Sequence, residues 1–250
     1  MPSDTLKILT YNIHKGFTAA NRKFILHDIK EAIRNINADI VFLQEIQGQH
    51  IIKQNKIGNW PNDSQFEFLA DQVWKHHAYG KNAIYKSGHH GNAILSKYPF
   101  IEWENINVSS MKTASRSLLH GTIELPNGEK LHLICVHLGL LDTEREKQLS
   151  TLVQRINSHV PHDAPLIIAG DFNDWRGRAE RYLNTDLDLF EVFKRSTGKH
   201  AKSFPAWFPT LKMDRIYSRG LENIDCQRLN RIPWRKLSDH TPLLATFSIS

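Results

Sequence analysis

The sequence predicts an α/β fold in which mixed β-sheets pack face to face and helices cover the outside. Strand-like stretches outnumber helical ones, and some neighbouring strands are separated by tight turns whereas others are separated by an amphipathic segment. Hairpins mixed with crossovers favour two packed mixed sheets over a single doubly wound sheet. The chain has 250 residues and shows no repeat, low-complexity tract or Pro/Gly/Ser-rich linker, so it reads as a single domain over 1–250.

Leu6 to Ile13 alternates and reads as a strand. Ile25, Ile29, Ile33 and Ile36 then recur at helical spacing before Asp39-Ile40-Val41-Phe42-Leu43 returns to a buried strand, giving a strand–helix–strand unit. Gln65 to Trp74 predicts a short helix. Ala83-Ile84-Tyr85, Ala93-Ile94-Leu95-Ser96, Leu118 to Leu125 and Leu131 to Leu138 read as strands between Gly, Pro or Asn turns, with Asn127-Gly128 marking a hairpin. From Thr143 to about His159 the spacing of Leu149, Leu152, Val153 and Ile156 predicts an amphipathic helix, with Asp142 as its N-cap. Leu166 to Ala169, Met213 to Tyr217 and Thr241 to Ile249 complete the strands. Trp207-Phe208-Pro209 and Ile232-Pro233-Trp234 read as loops.

No apolar stretch approaches the roughly 20 residues that span a bilayer. Met1-Pro2-Ser3-Asp4 runs at once into a strand pattern without the charged and apolar regions of a signal peptide, so the expected location is the cytoplasm, with peripheral contact at the inner membrane surface as an option. Cys135 and Cys226 have no C-x-x-C spacing and read as reduced, buried thiols. A formal charge of +6 gives a field that concentrates anions: small phosphoesters, anionic lipid or nucleic acid. The same mild basicity also serves solubility, and no obligate protein partner is inferred.

Chemistry gathers where the apolar runs stop. Ala169-Gly170-Asp171-Phe172-Asn173-Asp174 directly follows Leu166-Ile167-Ile168, and Ser238-Asp239-His240 opens the last apolar run. Other strand ends carry Asn12 with His14, Gln44 with Glu45, and His137, while Asp214 lies in Met213-Asp214-Arg215-Ile216-Tyr217. Strand ends and loops on a rigid scaffold are where catalytic groups concentrate. The set combines hard oxygen donors with histidine and lacks a thiolate, a G-x-S-x-G elbow or a phosphate-cradling glycine loop. That composition suits Mg²⁺, with Mn²⁺ as the alternative, over zinc.

The ordered series Thr10-Tyr11-Asn12-Ile13-His14, Leu43-Gln44-Glu45, His90-Gly91-Asn92-Ala93-Ile94-Leu95-Ser96, Val136-His137-Leu138, Gly170-Asp171-Phe172-Asn173 and Ser238-Asp239-His240 resembles the endonuclease/exonuclease/phosphatase superfamily over nearly the whole chain. Gly16-Phe17-Thr18 and the stretch through Gly88-His89-His90-Gly91-Asn92 are similar to its uncharacterised bacterial YbhP-like branch. The resemblance implies a deoxyribonuclease I-like four-layer α/β sandwich with a metal site at the sheet ends. It further implies that Asn12 and Glu45 form the primary metal shell with Asp239 beside them, that His240 is the general base, and that Asp214 fixes its tautomer. Asp171 and Asn173 would organise the nucleophilic water and the phosphoryl oxygens. His137 matches a position that is histidine in the deoxyribonuclease I and sphingomyelinase branches and tyrosine in abasic-site endonucleases, which weighs against abasic-DNA repair. Some nucleases of the family steady this histidine with a carboxylate from the His90 stretch, yet no acid lies between Ser87 and Ser96.

Arg116, in Ala114-Ser115-Arg116-Ser117, supplies a candidate phosphate contact, and Asn92 and His14 are candidate substrate contacts in site-lining segments. A surface turn explains His14, His89, His90 and Asn92 nearly as well. Trp207, Phe208 and Trp234, interleaved with Lys212, Arg235 and Lys236, suit base stacking or a membrane interface, although core or rim packing is the plainer reading. The function expected is a Mg²⁺-dependent phosphodiesterase acting on a lipid headgroup or small-molecule phosphodiester through a metal- and histidine-activated water. A DNA or RNA endonuclease or exonuclease is the second reading, and a non-catalytic binding module the third.

Overall fold

The computed structural model describes residues 5–109, 115–184 and 187–249. The reading of Met1 to Asp4 and the Ala114 of the Arg116 motif therefore lie outside the described residues. In chain order the elements are β1 (Thr5–Asn12), α1 (Leu26–Ile36), β2 (Ile40–His50), α2 (Ile51–Lys56), α3 (Gln65–Ala70), β3 (His76–Tyr85), β4 (Gly88–Ser96), β5 (Phe100–Asn107), β6 (Ser117–Glu124) and β7 (Lys130–His137). There follow α4 (Asp142–His159), β8 (Leu166–Asp171), α5 (Glu180–Leu183), β9 (Phe190–Glu191), α6 (Val192–Thr197), β10 (Asp214–Arg219), β11 (Asn223–Arg228), α7 (Trp234–Leu237) and β12 (Leu243–Ser248).

The strands form two six-stranded mixed sheets, ordered β11-β12-β1-β2-β4-β3 and β5-β6-β7-β8-β10-β9. Each sheet has one parallel pair near its centre, β1 with β2 and β7 with β8, and all other pairings are antiparallel. A parallel pair needs a crossover. Helices α1 and α4 supply one each, so the two sheets repeat the same strand–helix–strand device.

Alternation sorts each central strand into two faces. Leu6 and Ile8 of β1, Ile40 and Phe42 of β2, Leu131, Leu133 and Cys135 of β7, and Ile167 and Ala169 of β8 share one buried cluster. The alternate residues Leu9, Tyr11, Val41 and Leu43 pack in a second cluster with Ile29 and Ile33 of α1. Ile134, Val136, Leu166 and Ile168 pack in a third with Leu149, Leu152 and Ile156 of α4. Helix, sheet, sheet and helix thus stack around three apolar layers, the four-layer sandwich that the motifs imply. No helix among the described residues is long and apolar enough to cross a membrane.

Several expectations are corrected. Asp142 is the first residue of α4 and not its cap: Leu141 occupies the cap position without a side-chain bond. The Asp142 carboxylate instead pairs with Arg145, with Arg178 at 3.0 Å and with Arg176 at 3.3 Å. The predicted helix from Gln65 ends at Ala70, and Trp234 opens α7 instead of lying in a loop. His89, His90 and Asn92 belong to β4, not to a loop. Cys226 is only partly buried, whereas Cys135 is fully so, and both are free thiols. Phe42 lies at 0% exposure between the sheets. Phe42→Ala should lower the unfolding free energy by about 3–5 kcal/mol in urea titrations, whereas Ile84→Ala, at a side chain 75% exposed, should change it by less than about 0.5 kcal/mol.

Candidate active site

Both parallel pairs point their C-terminal ends the same way. Asn12 closes β1, Gln44 pairs with it from β2, and His137 at the end of β7 lies opposite Asp171 at the end of β8. The antiparallel neighbours start there: Asp214, first in β10, pairs with Asp171, and Thr10 pairs with Leu243, so Asp239 and His240 enter beside Asn12. The polar strand ends of the sequence therefore meet at one end of the sandwich.

Asp171 is the point of convergence and is 2% exposed. Its Oδ2 accepts a hydrogen bond from Asn12 Nδ2 at 3.1 Å and lies 3.5 Å from His137 Nε2 and 3.8 Å from His240 Nε2. Its Oδ1 accepts the Asn173 backbone N–H at 3.0 Å. Gly170 makes this placement possible, since its φ is +147° and a Cβ there would fall 2.0 Å from the Val136 carbonyl oxygen. Asn173 in turn donates from Nδ2 to the Leu138 carbonyl at 2.9 Å, the same oxygen that accepts Arg116 Nε at 3.1 Å.

His240 lies between two carboxylates and is bonded to one of them. Nδ1 lies 2.8 Å from Asp214 Oδ2, Nε2 faces Asp171, and the Phe204 ring covers it at a centroid distance of 5.0 Å. Burial alone would draw its pKa down, but Asp214 and then Asp171 reverse this and raise it from 6.5 to about 10. The two carboxylates thus favour the imidazolium form of His240. Burial also raises Asp171, against the opposing pull of His240 and His137. His137 moves the other way: burial and then Arg116 lower it to about 4, leaving it neutral.

The second group surrounds Glu45. Here β2 bulges, its register with β4 shifting between Leu43 and Ile46, and Glu45 adopts φ +55°. Its Oε2 lies 2.8 Å from Lys15 Nζ and 4.0 Å from His14 Nδ1, and that imidazole lies 3.3 Å from Asp239 Oδ2. Burial would raise Glu45, yet His137, Lys15 and His14 outweigh it and hold the carboxyl well below the usual range. His14 therefore lies among the predicted metal ligands. Asn92 is fully buried in β4 and donates at 3.2 Å to the carbonyl of Ser117, the residue after Arg116.

Sequence reasoning did not single out Lys15, Ser203 or the supporting bonds of Ser238. The Ser238 hydroxyl donates to the Asn12 carbonyl at 2.8 Å and accepts the His240 N–H at 3.3 Å, tying the two chain ends together at the site. Ser203 Oγ accepts the Asp214 N–H at 3.0 Å, while its carbonyl accepts the Thr241 N–H at 2.8 Å. Lys15 and Ser238 stand inside or next to the recognised motifs, which was the available signal; nothing near Ser203 marks it. Trp207 and Phe208 are 64% and 63% exposed, against the plain packing expectation, whereas Trp234 is buried.

Ligand atoms of Asp171, Asp214 and His240 lie within 4.8 Å of one another, but His240 Nδ1 already pairs with Asp214 and its Nε2 faces Asp171, so the imidazole is engaged with carboxylates and not free for an ion. Glu45 and Asp239 present hard oxygens 4.0 and 3.3 Å from the same His14 nitrogen, Nδ1, a donor set that fits a divalent ion.

Two facing six-stranded mixed sheets flanked by helices, with imidazoles and carboxylates gathered at one end, are the deoxyribonuclease I-like fold class. A profile of the Endonuclease/Exonuclease/phosphatase family matches residues 9–240, and the chain belongs to that family. It is 46% identical over 250 residues to the uncharacterized protein YbhP of Escherichia coli strain K12, covering 98% of each. Among solved structures it is similar to Danio rerio TDP2 complexed with single-strand DNA product (TM-score 0.73, 20% identity, 98% of this chain and 100% of that one). It is also similar to the human Nocturnin catalytic domain with bound sulfate (TM-score 0.75, 18% identity, 99% and 95%). At such identities the structures establish the fold.

Because the folded pKa of His240 lies above its unfolded value of 6.5, the stability contributed by its pairing is complete below about pH 6.5 and is lost as pH rises through about 10. In metal-free protein, ¹⁵N NMR should show the His240 imidazole protonated across neutral pH, and Asp214→Asn should bring its titration down toward neutrality. A wild-type His240 that titrates near 6.5 would contradict the clamp.

Proposed function

We propose that this protein is a Mg²⁺-dependent phosphodiesterase that hydrolyses a lipid-headgroup or related small-molecule phosphodiester by direct attack of water. The observation that carries this reading is His240 held between Asp214 and Asp171 beside a separate carboxylate pair, Glu45 and Asp239. Glu45 and Asp239, with Asn12 alongside, would hold the ion, which when bound supplies positive charge to the phosphoryl oxygens and the leaving alkoxide.

The remaining steps belong to the side chains. Asp214 fixes His240 through Nδ1, so that Nε2 is the nitrogen directed at the reaction centre. His240 and Asp171 act as one proton-sharing pair, and the form that has lost its resting proton accepts the proton of the attacking water. Neutral His137, whose Nε2 lies 3.5 Å from the same Asp171 oxygen that His240 faces, is the hydrogen-bond donor to a phosphoryl or leaving oxygen. Arg116, anchored through Nε to the Leu138 carbonyl, adds fixed positive charge near those oxygens. Asn173 holds Asp171 in place through its backbone N–H.

The lipid preference draws on the exposed Trp207 and Phe208. Their segment adjoins the catalytic turn, since the Ala206 N–H donates to the Asp239 carbonyl at 2.7 Å, and Arg235 bonds the Trp207 carbonyl. Exposed aromatics beside cationic side chains suit the headgroup region of an anionic bilayer. A nuclease is the second reading, favoured by the +6 charge and by the single-strand DNA product in the TDP2 structure.

Hydrolysis of bis(4-nitrophenyl) phosphate should require Mg²⁺ and stop with EDTA, and His240→Ala should lower kcat by about 10²–10⁴-fold. Equal rates under all three conditions would favour a binding module instead. On natural-type substrates, phospholipid vesicles should be turned over faster than single-stranded DNA. Preferred DNA cleavage that weakens steeply with added salt would install the nuclease reading through counterion release.

A further inference from the structure

A cavity of about 560 Å³ opens beside the reaction centre, lined by Lys15, Lys53, Lys56 and His90 together with Gln47, Tyr85 and the apolar Phe17 and Ile57. Its size is that of a small-ligand pocket. No carboxylate lines it, and among the described residues neither Lys53 nor Lys56 has an acidic ion-pair partner within 4.0 Å. Clustered like charges repel, and of the three lysines only Lys15 has a carboxylate partner among the described residues, Glu45. The effect shows at Lys53, whose pKa is drawn below the ordinary lysine value by burial and then by Lys15.

The cluster is held in place. Lys53 Nζ donates to Gln47 Oε1 at 3.4 Å and lies 4.5 Å over the Phe17 ring. Gln47 is 1% exposed and fixed from two further sides: its backbone N–H bonds Gln65 Oε1 at 2.9 Å, and its Nε2 bonds the Tyr85 hydroxyl at 3.0 Å. His90 Nδ1 is shielded from solvent and finds no hydrogen-bond partner among the described residues. A buried polar atom without a partner asks for one. Lys15 belongs to both places, since its Nζ also lies 2.8 Å from Glu45 Oε2.

We infer that this cavity is a subsite for a second phosphate of the substrate, so that the preferred substrate is a phosphodiester bearing a further phosphomonoester. Several donors around one small space match the several oxygens of a phosphate, and charge-assisted bonds to it are the strong ones. The subsite deepens the phosphodiesterase reading and rests on it. The second phosphate can come from a nucleotide or a lipid headgroup, and paired substrates separate these sources.

The experiment compares thymidine 5′-(4-nitrophenyl phosphate) with its 3′-phosphorylated counterpart, and phosphatidylglycerol with phosphatidylglycerol phosphate in detergent micelles. In at least one pair the wild type should favour the doubly phosphorylated member by about tenfold in kcat/KM, expressed mainly in KM. The ratio should fall to near one in Lys53→Ala/Lys56→Ala and be retained in Lys53→Arg/Lys56→Arg. An unchanged ratio in the alanine variant, or no preference in either pair, overturns the subsite. Calorimetric titration of metal-free protein with inorganic pyrophosphate reads the subsite without catalysis. Binding lost in Lys53→Ala/Lys56→Ala but kept in His240→Ala upholds it even if no phosphodiester is hydrolysed, and equal binding in the alanine variant rejects it.

Discussion

A carboxylate that is almost wholly out of water governs the design of this molecule. An isolated buried carboxylate would cost several kcal/mol, and at Asp171 that cost is offset by groups converging on it from distant parts of the chain. Asn12, closing β1, and the Asn173 N–H, just beyond β8, donate to it, while the imidazoles of His137, closing β7, and His240, preceding β12, lie 3.5 and 3.8 Å away. Both sheets contribute, so satisfying this one side chain also fixes how the ends of the sheets meet. The arrangement that compensates Asp171 in the resting protein is also the one that sets it 3.8 Å from His240 Nε2, the pair on which the proposed proton transfer rests.

The backbone around this point is held in uncommon conformations. His14, Lys15, Glu45 and Asn173 all have φ between 46° and 58°, and none is glycine. Each such residue costs on the order of 1–3 kcal/mol, and the surrounding strands must over-determine it. The pairing of β1 with β2 and of β7 with β8, each backed by a crossover helix, supplies that rigidity. In the proposed mechanism this small space divides the work: Asp171, Asp214 and His240 handle the proton, Glu45 and Asp239 offer oxygens to the ion, and Lys15 leads from Glu45 into the lysine-lined cavity.

The legible part of the sequence was the part governed by alternation and by abrupt polarity at strand ends. Leu166-Ile167-Ile168 before Gly170-Asp171, and Asp239-His240 before Leu243-Leu244, announced both the strands and the chemistry at their ends. Among the edge strands only the end of β3, Ala83-Ile84-Tyr85, reads as a strand. The alternation of β5 is blurred by Glu102, Trp103 and Glu104, all exposed, and β11 carries only Ile224 and Cys226 among polar neighbours. Polar Gln44 and Glu45 hid the continuation of β2, because a bulge with a glutamate at positive φ has no sequence signature. The six residues of α2 are too few to show a helical period, so Lys53 looked like any surface lysine until the fold laid it against Gln47 and Phe17.

The claim beneath all of this is that Asp171 and His240 work as one unit, and a double-mutant cycle on kcat for bis(4-nitrophenyl) phosphate addresses it most directly. Asp171→Asn, His240→Ala and the double variant would each be compared with wild type after circular dichroism shows that all are folded. Groups acting as a unit lose nearly everything when either is removed, so the double variant should be scarcely slower than either single one. Rate losses that multiply, each residue contributing independently of the other, would contradict the account.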